Sequence, residues 1–150
     1  MEFLKGQVMA LVAGFIFVVL LVTALLHIAW AFGTTWPAKD EQALVNAALG
    51  VEGTNMMPPR GLTLAVAGGM IAAAVVALWG VGVVSLPLPD WICTAGLATL
   101  TAIFLLRGIV TYLPVPMPVG QPFYRLNRLY YSPLILAIGA GYLALLITRL

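Results

Sequence analysis

Two ionisable side chains stand inside long apolar runs of this 150-residue chain: His27, its only histidine, and Arg107. A histidine can act as acid, base or metal ligand near neutral pH, and an arginine holds anions through a planar fork of donors. A base beside an anion-binding group is coherent chemistry on a lipophilic substrate, but no side chain is spaced to supply a nucleophile. A bis-histidine haem site needs a second histidine, so only a His27–methionine pairing is left for haem. The Cys, His, Asp and Glu residues show no metal-ligand spacing, and neither a metal nor a cofactor is expected. No glycine-rich phosphate loop follows a strand, and no Gly-x-Ser-x-Gly elbow is present. Cys93 stands alone, which excludes an internal disulfide and the Cys-x-x-Cys chemistry of small four-helix membrane oxidoreductases.

His27 lies six residues before Gly33, and Arg107 seven before Pro114. At about 1.5 Å per helical residue, the two sit about 9 Å and about 10 Å inside their helix ends, at matched depth. Arginine in mid-membrane costs about 2.5–3.5 kcal/mol on insertion scales, and a polar pocket shared with His27 would give that cost a use. Thr23 and Trp30, at minus four and plus three from His27, and Thr111, at plus four from Arg107, share their helix stripes. Tyr112, Tyr124, Arg125, Asn127, Arg128, Tyr130 and Tyr131 crowd the rim above, joined by Asp40, Glu41 and Glu52 from the first loop. The expected ligand-binding set is His27, Trp30, Arg107, Thr111, Arg125, Arg128 and Tyr131, with His27 the candidate catalytic residue. Plainer roles stand beside these. They are an interhelical hydrogen bond for His27, snorkelling for Arg107, headgroup anchoring for Arg125 and Arg128, and an aromatic belt for the Tyr and Trp residues.

The elements that must position these groups are membrane helices. The chain is 63% hydrophobic and 8% charged, with a mean hydropathy of +1.08, against about 25% charged in an ordinary soluble domain. A domain this small exposes too much surface for so few charges to cover in water, so the lipid bilayer is its expected partner. The net charge of +2 comes without a basic run, which excludes the footprint of a nucleic-acid binder. A bilayer core of about 30 Å asks for about 20 apolar helical residues. Four runs qualify, at about 7–32, 62–86, 91–113 and 133–148. They predict an all-α membrane protein, a single four-transmembrane-helix domain over 1–150 with both termini on one face. The first run is too long, and its Glu2 and Lys5 flank too little positive, for a cleaved signal peptide.

Gly33 and Trp36-Pro37 end the first span, Pro58-Pro59 precede the second, and Pro87 and Pro89 make a tight link to the third. Pro114, Pro116, Pro118 and Pro122 predict an extended loop, and Ser132-Pro133 an N-cap opening the fourth span. Asp40 to Gly50 predicts a short interfacial helix with Leu44, Val45, Ala48 and Leu49 on its apolar stripe. Lys39, Arg60, Arg125 and Arg128 on the long-loop face against Lys5 and Arg149 on the other predict cytoplasmic long loops and outside termini. Small residues at Ala65, Gly69, Ala73 and Ala77, with Gly68, Ala72 and Gly80 nearby, predict close packing within the bundle, a dimer seam being the alternative.

Four segments carry a resemblance: His27-Ile-Ala-Trp30-Ala-Phe-Gly33 with Trp36-Pro37, the PPRGLTLAVAGG that opens the second span, Arg107-Gly108, and PFYRLNRLYYSPL over 122–134. Over nearly its whole length the chain resembles a family of small bacterial four-helix membrane proteins known as a domain of unknown function. The resemblance implies a bacterial inner-membrane location and a pattern of first-helix His and Trp, third-helix Arg and Tyr131-Ser132-Pro133. It also implies an aspartate in many members where this chain has Asn127, and it implies no activity. Three functions stay open. The first is a pocket for a small anionic or amphiphilic ligand or lipid headgroup, the second a membrane enzyme using His27 as acid or base, and the third a structural subunit of a larger membrane complex. A homo-oligomer or a membrane-protein partner fits any of them.

Overall fold

The computed structural model describes residues 2–51, 53–114 and 120–150. Glu52 of the rim, and Pro116 and Pro118 of the expected extended loop, lie outside the described residues.

Helix α1 covers Glu2–Ala31, a proline-free run of 30 residues. It stops where the sequence expects, at Gly33. With φ at 92°, Gly33 donates to the Trp30 carbonyl at 3.0 Å while Thr34 donates to that of Ala29 at 3.2 Å, the paired bonds of a glycine-terminated helix end. Helix α2, Glu41–Ala48, is the short helix of the first loop: Asp40 accepts from the Ala43 amide at 2.7 Å, and Leu44 and Val45 are buried. Helices α3, Arg60–Gly80, and α4, Asp90–Val110, have 21 residues each, about 31 Å at an α-helical rise, which matches a bilayer core. The expected second span ran on to Leu86, but α3 ends at Gly80. Gly82, at φ 75°, closes a second glycine-terminated end through bonds to the Trp79 and Leu78 carbonyls, and the apolar residues after it form the link.

The fourth span differs at its start. Its helical rod begins at Phe123, not at Ser132-Pro133: α5 (Phe123–Leu126) runs through a π-helical turn (Asn127–Tyr131) into α6 (Ser132–Ile147). Ser132 caps nothing and lies fully buried inside the rod. Proline clashes with the carbonyl four residues back in a regular helix, and the wider turn just before Pro133 gives that ring room.

The four long helices are each apolar enough to cross a membrane, making this an integral membrane protein. Helix α1 packs on α3 and α6, and α4 on α6 and α3, which leaves α1 and α4 across a diagonal. Ile16, Leu20, Ala77, Leu97, Tyr142 and Leu145 form the centre of the core. Leu11, Val18, Leu25, Ile103 and Leu106 point outward, the distribution of helices whose outer solvent is lipid. A Cβ on Gly139 would lie 2.8 Å from Leu105 and one on Gly108 2.5 Å from Leu136, so α4 and α6 approach closely at their glycines. The small-residue row of α3 splits. Ala73 and Ala77 are buried as expected, whereas Ala65, Gly68, Gly69 and Ala72 are exposed, with open space beyond both glycines.

The first and third connections meet at one end of the bundle, where the Gly120 amide donates to the Gly50 carbonyl at 2.7 Å and the Tyr131 hydroxyl to that of Ala47 at 3.2 Å. At the other end Arg149 reaches both the Gly80 carbonyl and the Asp90 carboxylate, each at 3.4 Å. The long loops therefore share one end and the C-terminus the other, as an even number of spans requires.

Candidate functional site

His27 and Arg107 both lie near the long-loop end of their helices, four residues before the end of α1 for His27 and three before the end of α4 for Arg107. Their hydrogen bonds gather them into two groups.

On α1, His27 is half-buried, and its Nδ1–H donates to the Thr23 carbonyl at 2.8 Å. That bond places a proton on Nδ1, so that in the neutral ring Nε2 is an acceptor. Trp30 lies against the imidazole with ring centroids 4.9 Å apart, and its indole Nε1–H donates to the Trp36 carbonyl at 2.8 Å, tying the helix to the chain beyond it. Thr23, placed on the same stripe by sequence, spends its hydroxyl on the Val19 carbonyl at 2.8 Å. Phe32 receives the Arg60 guanidinium 4.0 Å above its ring, across the α1–α3 seam.

On α4, Arg107 is exposed and is held by neutral acceptors. Its Nη1 donates to Thr111 Oγ1 and its Nη2 to Asn127 Oδ1, each at 3.1 Å. The Asn127 amide donates in turn to Thr111 Oγ1 at 3.1 Å, and the Ser132 hydroxyl lies within hydrogen-bond distance of both Thr111 Oγ1, at 2.8 Å, and Asn127 Oδ1, at 3.2 Å. Asn127 and Ser132 are buried, and among the described residues no buried side-chain polar atom lacks a partner. The π-helical turn explains how two residues five apart serve one cluster, because it closes an i to i+5 ring: the Ser132 amide donates to the Asn127 carbonyl.

Arg125, Arg128 and Tyr131 of the expected set lie on α5 and the π-helical turn. Arg128 donates to the Tyr124 hydroxyl at 3.0 Å and lies 5.8 Å from the Tyr112 ring centroid, while the Tyr112 hydroxyl donates to the Arg128 carbonyl at 2.8 Å. Arg125 is exposed on the short α5. Tyr131 leans on Phe123 and ties the rod to α2 through Ala47. Among the described residues, the carboxylates that form ion pairs do so with Lys39 and Arg149, and Arg107, Arg125 and Arg128 have no carboxylate within 4.0 Å.

Arg107 and Thr111 thus stand together at their i, i+4 spacing, Asn127 joins them from the π-helical turn, and the Arg128–tyrosine group lies on α5, the same turn and the end of α4. His27 and Trp30 belong to a separate group, on the helix diagonal to α4. In sequence Ser132 has the signature of a cap, and its part in the cluster shows only once the helix runs through it. The signal available was its spacing of five from Asn127, which an α-helix would place on different faces and a π turn brings together.

Residues 20–142 match the family described as Protein of unknown function (DUF3995). No curated protein and no solved structure matches the chain.

Proposed function

This chain belongs to the DUF3995 family, whose description assigns no activity, and we propose from its own site that it is a small four-span membrane protein whose Arg107 rim binds the phosphate of an anionic lipid headgroup or a similar amphiphile. The observation that carries the reading is the state of Arg107. Its guanidinium is anchored by Thr111 and Asn127 at the end of a membrane span, exposed, and without a carboxylate partner among the described residues. Two of its five donors are used, and those left match the paired oxygens of a phosphate. Arg125 and Arg128 on the neighbouring turns add attraction of about 1 kcal/mol each for an anionic surface. Their position also fits long loops that face the cytoplasm.

The experiment compares the protein and Arg107→Met in nanodiscs of phosphatidylcholine with and without phosphatidylglycerol, reading retained lipid by native mass spectrometry. The wild type should retain phosphatidylglycerol and melt higher in its presence, and Arg107→Met should lose both. Arg107→Lys should retain part, since an ammonium keeps the charge but not the fork. Equal retention by wild type and Arg107→Met overturns the proposal. A second reading, His27 as acid or base on a lipophilic substrate, is favoured by the tautomer that the Thr23 carbonyl imposes, which presents Nε2 as an acceptor.

A further inference from the structure

Where the first and third connections meet, they enclose a cleft of about 300 Å³, at the lower end of the range for small-molecule sites, about 300–1,000 Å³. It lies apart from the Arg107 cluster, none of whose residues lines it. Its walls are carboxamides: Gln42 and Asn46 from α2, Asn55 from the turn that follows, and Gln121 from the third connection, with the Thr54 hydroxyl among them. The Gly120–Gly50 hydrogen bond joins the two walls. Gln42 Nε2 donates to Asn46 Oδ1 at 3.0 Å, which orients that pair and leaves the Asn46 amide hydrogens and the Gln42 oxygen for another partner. Among the described residues no charged side chain lines the cleft. Two acids of α2 and its cap, among the described residues, are turned to backbone amides, Asp40 to Ala43 at 2.7 Å and Glu41 to Met57 at 3.2 Å.

Each lining carboxamide both donates and accepts, and so does a hydroxyl group. An anion would seek a cation or donors without competing acceptors, whereas each carboxamide here sets an oxygen beside its N–H donors, and an apolar ligand would seek apolar walls, of which Val51 is the one apolar side chain among the described lining residues. We propose that this cleft is a binding site for an uncharged polyhydroxyl group, the chemistry of a sugar ring, presented either as a glycolipid headgroup or as a free glycoside.

The protein is reconstituted in phosphatidylcholine nanodiscs without sugar-based detergent, and the side-chain amide resonances of Asn46 and Gln121 are followed by NMR. One arm adds glucosyl diacylglycerol to the discs and the other adds methyl glucoside to the buffer. Saturable shifts of both amides are expected, with the affinity, read on the amide that each variant keeps, weakened at least about tenfold in Gln121→Leu and in the isosteric Asn46→Asp, and retained in Arg107→Met. A response to the glycolipid alone identifies a membrane-borne ligand, and a response to methyl glucoside as well identifies the sugar ring itself. The proposal is overturned if neither addition moves these amides, if the two cleft variants bind as tightly as wild type, or if phosphatidylglycerol moves the same amides equally. Retention in Arg107→Met separates this site from the rim, so either can fail without the other.

Discussion

Arg107 and Asn127, twenty positions apart, are joined by a 3.1 Å hydrogen bond in which a charged guanidinium is held by a neutral amide. The acceptor fixes the arginine without cancelling its charge. Asn127→Asp reverses that balance. The new carboxylate would sit where Arg107, Thr111 and Ser132 can all donate to it, a paired and hydrogen-bonded charge. The expected outcome is a melting temperature in detergent at or above that of wild type, together with reduced retention of phosphatidylglycerol. Asn127→Ala leaves the other cluster members short of a partner and should cost about 1–3 kcal/mol. Undiminished lipid retention in Asn127→Asp would show that the neutrality of this acceptor has no bearing on binding.

The meeting of the long loops at one end and of Arg149 with Gly80 and Asp90 at the other makes a topological prediction. Reporter fusions after Leu150 and within 40–50 should report opposite faces, with the loop fusion cytoplasmic. Signals from the same face would contradict four crossings, whereas opposite signals with an outside loop would reverse the orientation alone.

What the sequence disclosed and what it hid follow from physics that can be named. Long charge-free runs are a bilayer-length signal, so the existence of α1, α3 and α4 was legible, although the start of α1 and the end of α3 lie five and six residues from the ends of the apolar runs, and Asp40 and Gly50 marked the short α2 by their capping chemistry. The start of the fourth span was misplaced because Ser-Pro is a strong helix-opening signal in isolation, and only the π turn before it makes it compatible with a helix interior. Arg107 and Thr111 were paired by a local i, i+4 rule. The partnership of His27 with Arg107 rested on matched depth alone, and depth says nothing about which helices are neighbours. The cleft amides carry no periodic signal at all, since loop residues converge only through the Gly50–Gly120 contact.

Close helix approach gives a third prediction with an internal control. Gly139→Ala would put its Cβ 3.0 Å from the Leu105 backbone nitrogen, which cannot move as a side-chain tip can. Overpacking of this kind costs about 1–3 kcal/mol, so the melting temperature should fall. Gly69→Ala meets nothing within 4 Å and should leave it unchanged or slightly raised, given the higher helix propensity of alanine. Equal effects of the two would mean that α4 and α6 do not approach as closely as described.

The last prediction concerns the joint between the loops, where Gly50 is buried at φ 64°. An L-residue held in that conformation is strained by about 1–3 kcal/mol, and here a Cβ would also collide with the side chain of Phe123. Gly53 separates the two effects: its φ is 80°, but nothing lies within 4 Å of its would-be Cβ. Gly50→Ala should therefore release α2 from the Phe123–Tyr131 turn, break the Tyr131–Ala47 hydrogen bond and open the first loop to protease, while the four spans stay packed. Gly53→Ala carries the backbone strain alone and should change cleavage much less. Limited proteolysis in nanodiscs, with cleavage sites mapped by mass spectrometry, reads the difference. Local opening within 40–57 and an intact helical core is the expected pattern. Equal protection of wild type and Gly50→Ala would mean that the loops are not locked through this contact, and that the cleft between them lacks a fixed wall.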